Sequence, residues 1–134
     1  MNSQIQIMLD RYECNTTQQY ESALKEIIQE VALSGLSRAG FFNKASFCGG
    51  TALRIFHGLD RFSENLDFTL VNPYDSFDIK EYFTSVQNEL LAFGFEMTIE
   101  EKEKHKASVV QSAFLKGNTQ KLLLQINSVN PPVQ

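Results

Sequence analysis

Gly49, Gly50 and Thr51 follow a short apolar run, Ala45 to Cys48, and lead into a helical segment, Ala52 to His57. Glycine has no Cβ, so its backbone N–H can approach a ligand closely and adopt positive φ. Thr51 stands at the N-cap position, where its hydroxyl can cap the helix or touch a phosphate. A helix start behind a glycine turn presents unpaired N–H groups and the positive end of the helix dipole, which suits an anion. Further on, Asn65 and Asp67 open a second apolar run, Leu66 to Val71. Two residues apart on an extended chain, they project to the same side. Their hard oxygens are the kind that Mg²⁺ prefers. A phosphate cradle and a metal-binding carboxylate together are the parts that phosphoryl or nucleotidyl transfer needs.

Each of these residues also has a structural reading. A lone Gly-Gly-Thr is an ordinary turn before a capped helix, and Asp67 can bond local backbone at a strand entry. Arg61 suits a phosphate, which it can meet bidentately, or a surface ion pair. Ser63 can contact phosphate or cap the loop. Glu64 has the wrong parity to stand in for Asn65. His57 falls at a helix end before Gly58, where the dipole favours it for structural reasons. His105 lies in a charged turn, Glu101 to Lys106. Arg54, inside the helical segment, reads as structural or phosphate-facing.

Gly49-Gly50-Thr51-Ala52-Leu53, followed by Arg61-Phe62-Ser63-Glu64-Asn65-Leu66-Asp67-Phe68, resembles the AbiEii/AbiGii nucleotidyltransferase toxin family. That family belongs to the DNA polymerase β-like nucleotidyltransferase superfamily. The run Gln111 to Thr119 is similar as well, so the likeness covers about Phe41 to Thr119. The resemblance implies Mg²⁺-dependent transfer of a nucleoside monophosphate from an NTP to an RNA, such as a tRNA end, or to another macromolecule. It also implies a cognate antitoxin and a place in bacterial phage defence. By resemblance Gly49, Gly50 and Thr51 hold phosphate, with Arg61, Ser63 and Lys116 near it. Lys121 is a second candidate for the lysine beside the triphosphate. Asp67 and Asn65 stand at the metal-binding, catalytic pair. The family pattern there is Asp-x-Asp, and this chain has Asn65 at the first position. The superfamily also places a third carboxylate on a later strand, to activate the acceptor hydroxyl. No Asp or Glu occurs from Lys106 to Gln134. Either Gln125 or Asn127 stands where that acid would be, or the acid belongs to a part beyond this chain.

The 134 residues fit one domain over the whole of 1–134, long enough for a proper core. Family members commonly carry a further, mostly helical C-terminal part, expected to be absent here because the chain stops on the loop-like Asn130 to Gln134. A net charge of −4 argues against nucleic-acid binding by bulk charge, though a local basic patch could still reach an RNA end. Cys14 and Cys48 have no CxxC spacing, so reduced thiols in a cytoplasm are expected rather than a disulfide or zinc framework. Met1 to Asp10 lacks the charge and apolar core of a signal peptide, and no stretch reaches the roughly 20 apolar residues of a membrane span.

The elements that must position these residues follow from periodicity. Gln4 to Asp10 suits a short helix or an extended lead-in. Thr16 or Thr17 caps a long helix from about Gln18 to Arg38, with Leu24, Ile27, Ile28, Val31, Ala32 and Leu36 on one face. Gly35 and Gly40 mark its end, and Phe41-Phe42 plug core space. Asp75 or Ser76 caps a helix from Phe77 to Ala92 that buries Ile79, Tyr82, Phe83, Val86, Leu90 and Leu91, and Gly94 ends it. Phe95 to Glu101 alternates as a strand, pairs with Ala107 to Leu115, and is followed by Lys121 to Ile126. The expected fold is α+β: a nucleotidyltransferase-like mixed sheet backed by helices on one face, with a long N-terminal helix. Two functional classes follow. One is a working nucleotidyltransferase. The other is a catalytically impaired relic or fragment of that fold, acting by nucleotide or protein binding, which the shortage of acids favours.

Overall fold

The structure is a computed structural model that describes residues 3–10, 15–48, 65–72, 77–102, 109–117 and 120–127. Its elements run in the order α1 (Ser3–Leu9), α2 (Thr17–Arg38), a 3₁₀ turn (Phe41–Asn43), β1 (Ala45–Cys48) and β2 (Asn65–Leu70). A second 3₁₀ turn (Ile79–Tyr82), α3 (Phe83–Ala92), β3 (Thr98–Lys102), β4 (Val109–Lys116) and β5 (Lys121–Asn127) complete it. The strands form one sheet in the order β1-β2-β5-β4-β3. Among the described strands the β2–β5 pair is parallel, and β1–β2, β5–β4 and β4–β3 are antiparallel. The expected mixed sheet backed by helices is thus what the chain forms.

Alternation decides which face the helices cover. In β2, Leu66, Phe68 and Leu70 are buried, whereas Asn65 is exposed and Asp67 and Thr69 are half-buried. In β5, Leu122, Leu124 and Ile126 are buried while Leu123, Gln125 and Asn127 are half-buried. Because neighbours in register share a face, the buried sets coalesce under α2 and α3, and the other face, here called the open face, is more accessible along β2 and β5, although Val109 and Ser112 of β4 are buried on it. Ile27, Val31 and Leu36 of α2 and Val86 and Leu90 of α3 complete that core.

Thr16 caps α2, its side-chain oxygen accepting from the Gln19 N–H. The helix ends where Gly40 takes a φ of 81°, a left-handed turn that glycine adopts without strain. Gly94 closes α3 in the same way, at φ 91°. Gly35 has a different task from the terminator the sequence suggested. It lies inside α2, where a Cβ would stand 2.9 Å from the Val86 Cα and 3.1 Å from the Ser85 carbonyl oxygen. The helices cross there, and the Ser85 hydroxyl donates to the Gly35 carbonyl at 2.7 Å.

Other expectations shift for physical reasons. The helix expected from Phe77 starts as a 3₁₀ turn at Ile79, with Asp78 accepting from the Lys80 N–H. The Gln111 side chain occupies the backbone just before it: its amide donates to the Phe77 carbonyl and its oxygen accepts from the Ile79 N–H, both at 2.7 Å. Those two groups are therefore satisfied by β4 and not by a helical turn. Asp75 and Ser76 lie outside the described residues, as does the segment Ala52 to His57. Leu91, expected on the buried face of α3, is 55% exposed, and Phe42 is exposed where Phe41 is fully buried. Phe95 and Met97 pack on the core but precede β3, which begins at Thr98. Gly35→Ala follows from the helix crossing. A free helical glycine gains about 1 kcal/mol of helix propensity on this change. Here the backbone clash should turn that into a loss of about 1–3 kcal/mol in denaturant unfolding.

Candidate functional site

The site grows from the pairing of β2. β1 runs antiparallel beside it with Cys48 opposite Asp67. β5 runs parallel on the other side with Gln125 opposite Asp67, Leu123 opposite Asn65 and Asn127 opposite Thr69. Ser112 of β4 then faces Gln125, and Lys102 of β3 faces Ser112. By register, one row of positions crosses this face of the sheet: Cys48, Asp67, Gln125, Ser112, Lys102, with Ser112 itself buried and its hydroxyl donating to the Lys102 carbonyl at 3.3 Å. Adjacent strands lie about 4.8 Å apart, so a carboxylate, an amide and a hydroxyl stand side by side.

Asp67 is half-buried on the open face and not turned into the apolar layer. Asn65 shares that face and is exposed. The expected same-side placement of the two therefore holds. Gly49, Gly50, Thr51, Arg61 and Ser63 lie outside the described residues. The strand that feeds the glycine turn ends at Cys48, directly across from Asp67, so Gly49 is covalently joined to Asp67's strand neighbour.

Lys116 ends β4 and pairs with Lys121 at the start of β5. It lies four residues along β4 from Ser112, which is about 13 Å along the sheet from the Asp67 row. Lys121 is one strand closer to β2 and shares the open face with Gln125. Glu100 and Lys102, two apart on β3, also lie on this face and pair at 3.6 Å, with the Lys102 ammonium 5.0 Å from the Phe114 ring centre.

The register also shows which residues stand beside Asp67. β2 has two neighbours, and the residues they set against Asp67 are Cys48 and Gln125. Asn127 is two residues further along β5, and its amide donates to the Phe68 carbonyl at 3.0 Å, which ties the strands together. Of the two β5 residues that sequence reasoning left open, Gln125 is the one set directly against Asp67. Sequence reasoning left Gln125 and Asn127 open because strand register is non-local.

Mg²⁺ can be tested against these residues. Among the described residues no group of three or more His, Cys, Asp or Glu side chains could hold a metal ion. Asp67 is one carboxylate with the Gln125 amide opposite it on β5 and the Asn65 amide two residues before it on β2. That donor set fits one Mg²⁺ brought in by nucleotide phosphates, since such ions use one or two carboxylates plus substrate oxygens. Among the described residues it offers no further carboxylate for a free ion or a second one.

A five-stranded mixed sheet with its polar row on the face away from the helices is the architecture of a nucleotidyltransferase domain. Residues 31–134 match the model of the AbiEii family, described as nucleotidyl transferase AbiEii toxin, Type IV TA system, and the chain belongs to that family. MenT4, a nucleotidyltransferase toxin from Mycobacterium tuberculosis H37Rv, superposes with a TM-score of 0.54 at 20% identity, covering 93% of this chain and 44% of that one. JHP933 from Helicobacter pylori gives a TM-score of 0.55 at 20% identity, covering 85% of this chain and 47% of its own. The chain thus spans less than half the length of either structure. No curated protein matches it. No described helix is long and apolar enough to cross a membrane.

The face assignment makes a prediction about stability. Phe68→Ala removes a fully buried ring that lies 4.8 Å from Phe41 and 5.4 Å from Phe47. It should lower unfolding free energy by about 3–5 kcal/mol. Asp67→Asn, one residue away on the open face, should change it by about 1 kcal/mol or less. Denaturant midpoints of the two variants check the alternation.

Proposed function

We propose that this domain binds a nucleoside triphosphate on the open face of its sheet and transfers the nucleoside monophosphate to an RNA acceptor, as the toxin of a toxin–antitoxin pair. The observation that carries this reading is Asp67, half-buried on the open face with the strand leading to Gly49-Gly50-Thr51 directly beside it. In the reaction the acceptor hydroxyl oxygen forms a bond to the α-phosphorus. The bond from that phosphorus to the bridging oxygen breaks, pyrophosphate leaves, and the hydroxyl proton passes to water.

The glycine turn with Thr51, Arg61 and Ser63 would hold the phosphates. Lys116, with Lys121 beside it, would approach them from the edge of the sheet. Asp67, with Asn65 as a neutral oxygen donor, would hold the nucleotide's Mg²⁺, which when bound offsets phosphate charge. Gln125 can orient the acceptor hydroxyl by hydrogen bonding but cannot take its proton at neutral pH. Turnover is therefore slower than with a carboxylate there, since general-base help is worth about 10²–10⁴-fold. The AbiEii assignment supports an antitoxin partner; a cytoplasmic setting and a role in phage defence are part of this proposal.

A second reading, that the domain binds nucleotide or protein without turning over, draws on the amides at positions 65 and 125. One assay separates the two: each radiolabelled NTP with Mg²⁺ and total RNA, for the natural chain, Asn65→Asp and Asp67→Asn. Labelling by the natural chain, lost in Asp67→Asn and raised in Asn65→Asp, is the expected result. Labelling by Asn65→Asp alone would support the second reading. No labelling by any of them, together with no Mg-NTP binding, would reject nucleotidyl transfer for this chain.

A further inference from the structure

Three lysines, Lys102, Lys116 and Lys121, share the open face with two carboxylates, Asp67 and Glu100, among the described residues. Glu100 is already paired to Lys102. In a chain of net charge −4, the described residues of this face thus carry one more lysine than carboxylate, with Lys116 and Lys121 outside the Glu100 pair. The positions that would reverse the sign, Asn65 and Gln125, carry neutral amides: Gln125 stands opposite Asp67 on β5, and Asn65 lies two residues before it on β2.

We infer that this face takes polyphosphate without a divalent ion already in place, and that Gln125 is the residue that sets this order. The inference rests on the nucleotide reading above. Metal affinity follows the number of charged ligands, so Asp67, flanked by the Gln125 and Asn65 amides among the described residues, holds a free divalent ion weakly. The lysines meanwhile attract a polyanion of several charges before any metal arrives. A glutamate at position 125 would stand one strand spacing, about 4.8 Å, from Asp67. Two carboxylates that close form a cation site and repel a triphosphate.

Mn²⁺ alone, followed by electron paramagnetic resonance, probes the first half. Inorganic tripolyphosphate in EDTA, followed by calorimetry, probes the second. The proteins are the natural chain, Gln125→Glu, Lys121→Ala and Thr98→Glu. The last adds the same charge to the same face on the outermost strand, and melting curves confirm folding of each. Free Mn²⁺ should bind the natural chain with a Kd no tighter than about 1 mM, and Gln125→Glu should bind it at least about tenfold more tightly. Thr98→Glu should leave it within about twofold, since a charge some three strand spacings away is largely screened. Tripolyphosphate should bind the natural chain in EDTA and weaken at least about threefold in both Gln125→Glu and Lys121→Ala.

Binding of free Mn²⁺ by the natural chain at tens of micromolar would overturn the inference. So would a Gln125→Glu affinity no better than that of Thr98→Glu, or tripolyphosphate binding that requires Mn²⁺. A Mg-NTP titration run alongside keeps the two readings apart. If every NTP fails to bind while the Mn²⁺ and tripolyphosphate results come out as expected, the nucleotide reading falls and the charge assignment stands.

Discussion

The parallel pairing of β2 with β5 is the constraint on which the rest depends. It fixes Gln125 beside Asp67 on the open face and, in the same register, Leu124 beside Leu66 and Ile126 beside Phe68 underneath. A slip of one residue would exchange the faces and drive Asp67 into the apolar layer. Burial on one side therefore specifies the chemistry on the other. The Asn127 amide, bonded to the Phe68 carbonyl, helps to hold this register from the far end of the pair.

The helix layer holds Asp67 in place from below. Phe41 is fully buried and meets Phe68 at 4.8 Å and Tyr82 at 5.2 Å, both edge to face. It thus links the strand that carries Asp67 to the segment that opens α3. α2 and α3 approach closely at Gly35, and an Arg38–Glu89 pair at 3.2 Å closes the same contact nearer the surface. The buried contacts carry this junction, because an exposed ion pair such as the last contributes little.

Much of this was legible in the sequence because it is local. The alternation of Asn65 to Leu70 announces a strand with one polar face, and the spacing from Leu24 to Leu36 announces α2. What was hidden is pairing between distant segments. Gln111 sets the start of the 3₁₀ turn at Ile79 from 32 residues away, and nothing near Phe77 signals it. Gly35 reads as a terminator until its neighbour across the helix crossing is known. The place of Gln125 shows the same limit. Its residue type is plain in the sequence, but its meaning comes from the strand beside it. The glycine turn and Arg61 and Ser63 lie outside the described residues, so their part in the site still rests on sequence and family.

The two amides bear on folding as well as on binding. Two carboxylates about 5 Å apart at an effective dielectric constant near 20 repel by roughly 3 kcal/mol. That is a sizeable fraction of the 5–15 kcal/mol by which a domain is typically stable. A sheet face built around several acids leans on a cation to relieve this strain, so its folding and its metal binding are coupled. With Asn65 and Gln125 in those positions, the β2–β5 pair carries no such repulsion. The same substitution that weakens attraction for a metal ion therefore frees the fold from needing one. The sign of the face is then left to the lysines around it, and a polyphosphate is the ligand that such a sign selects.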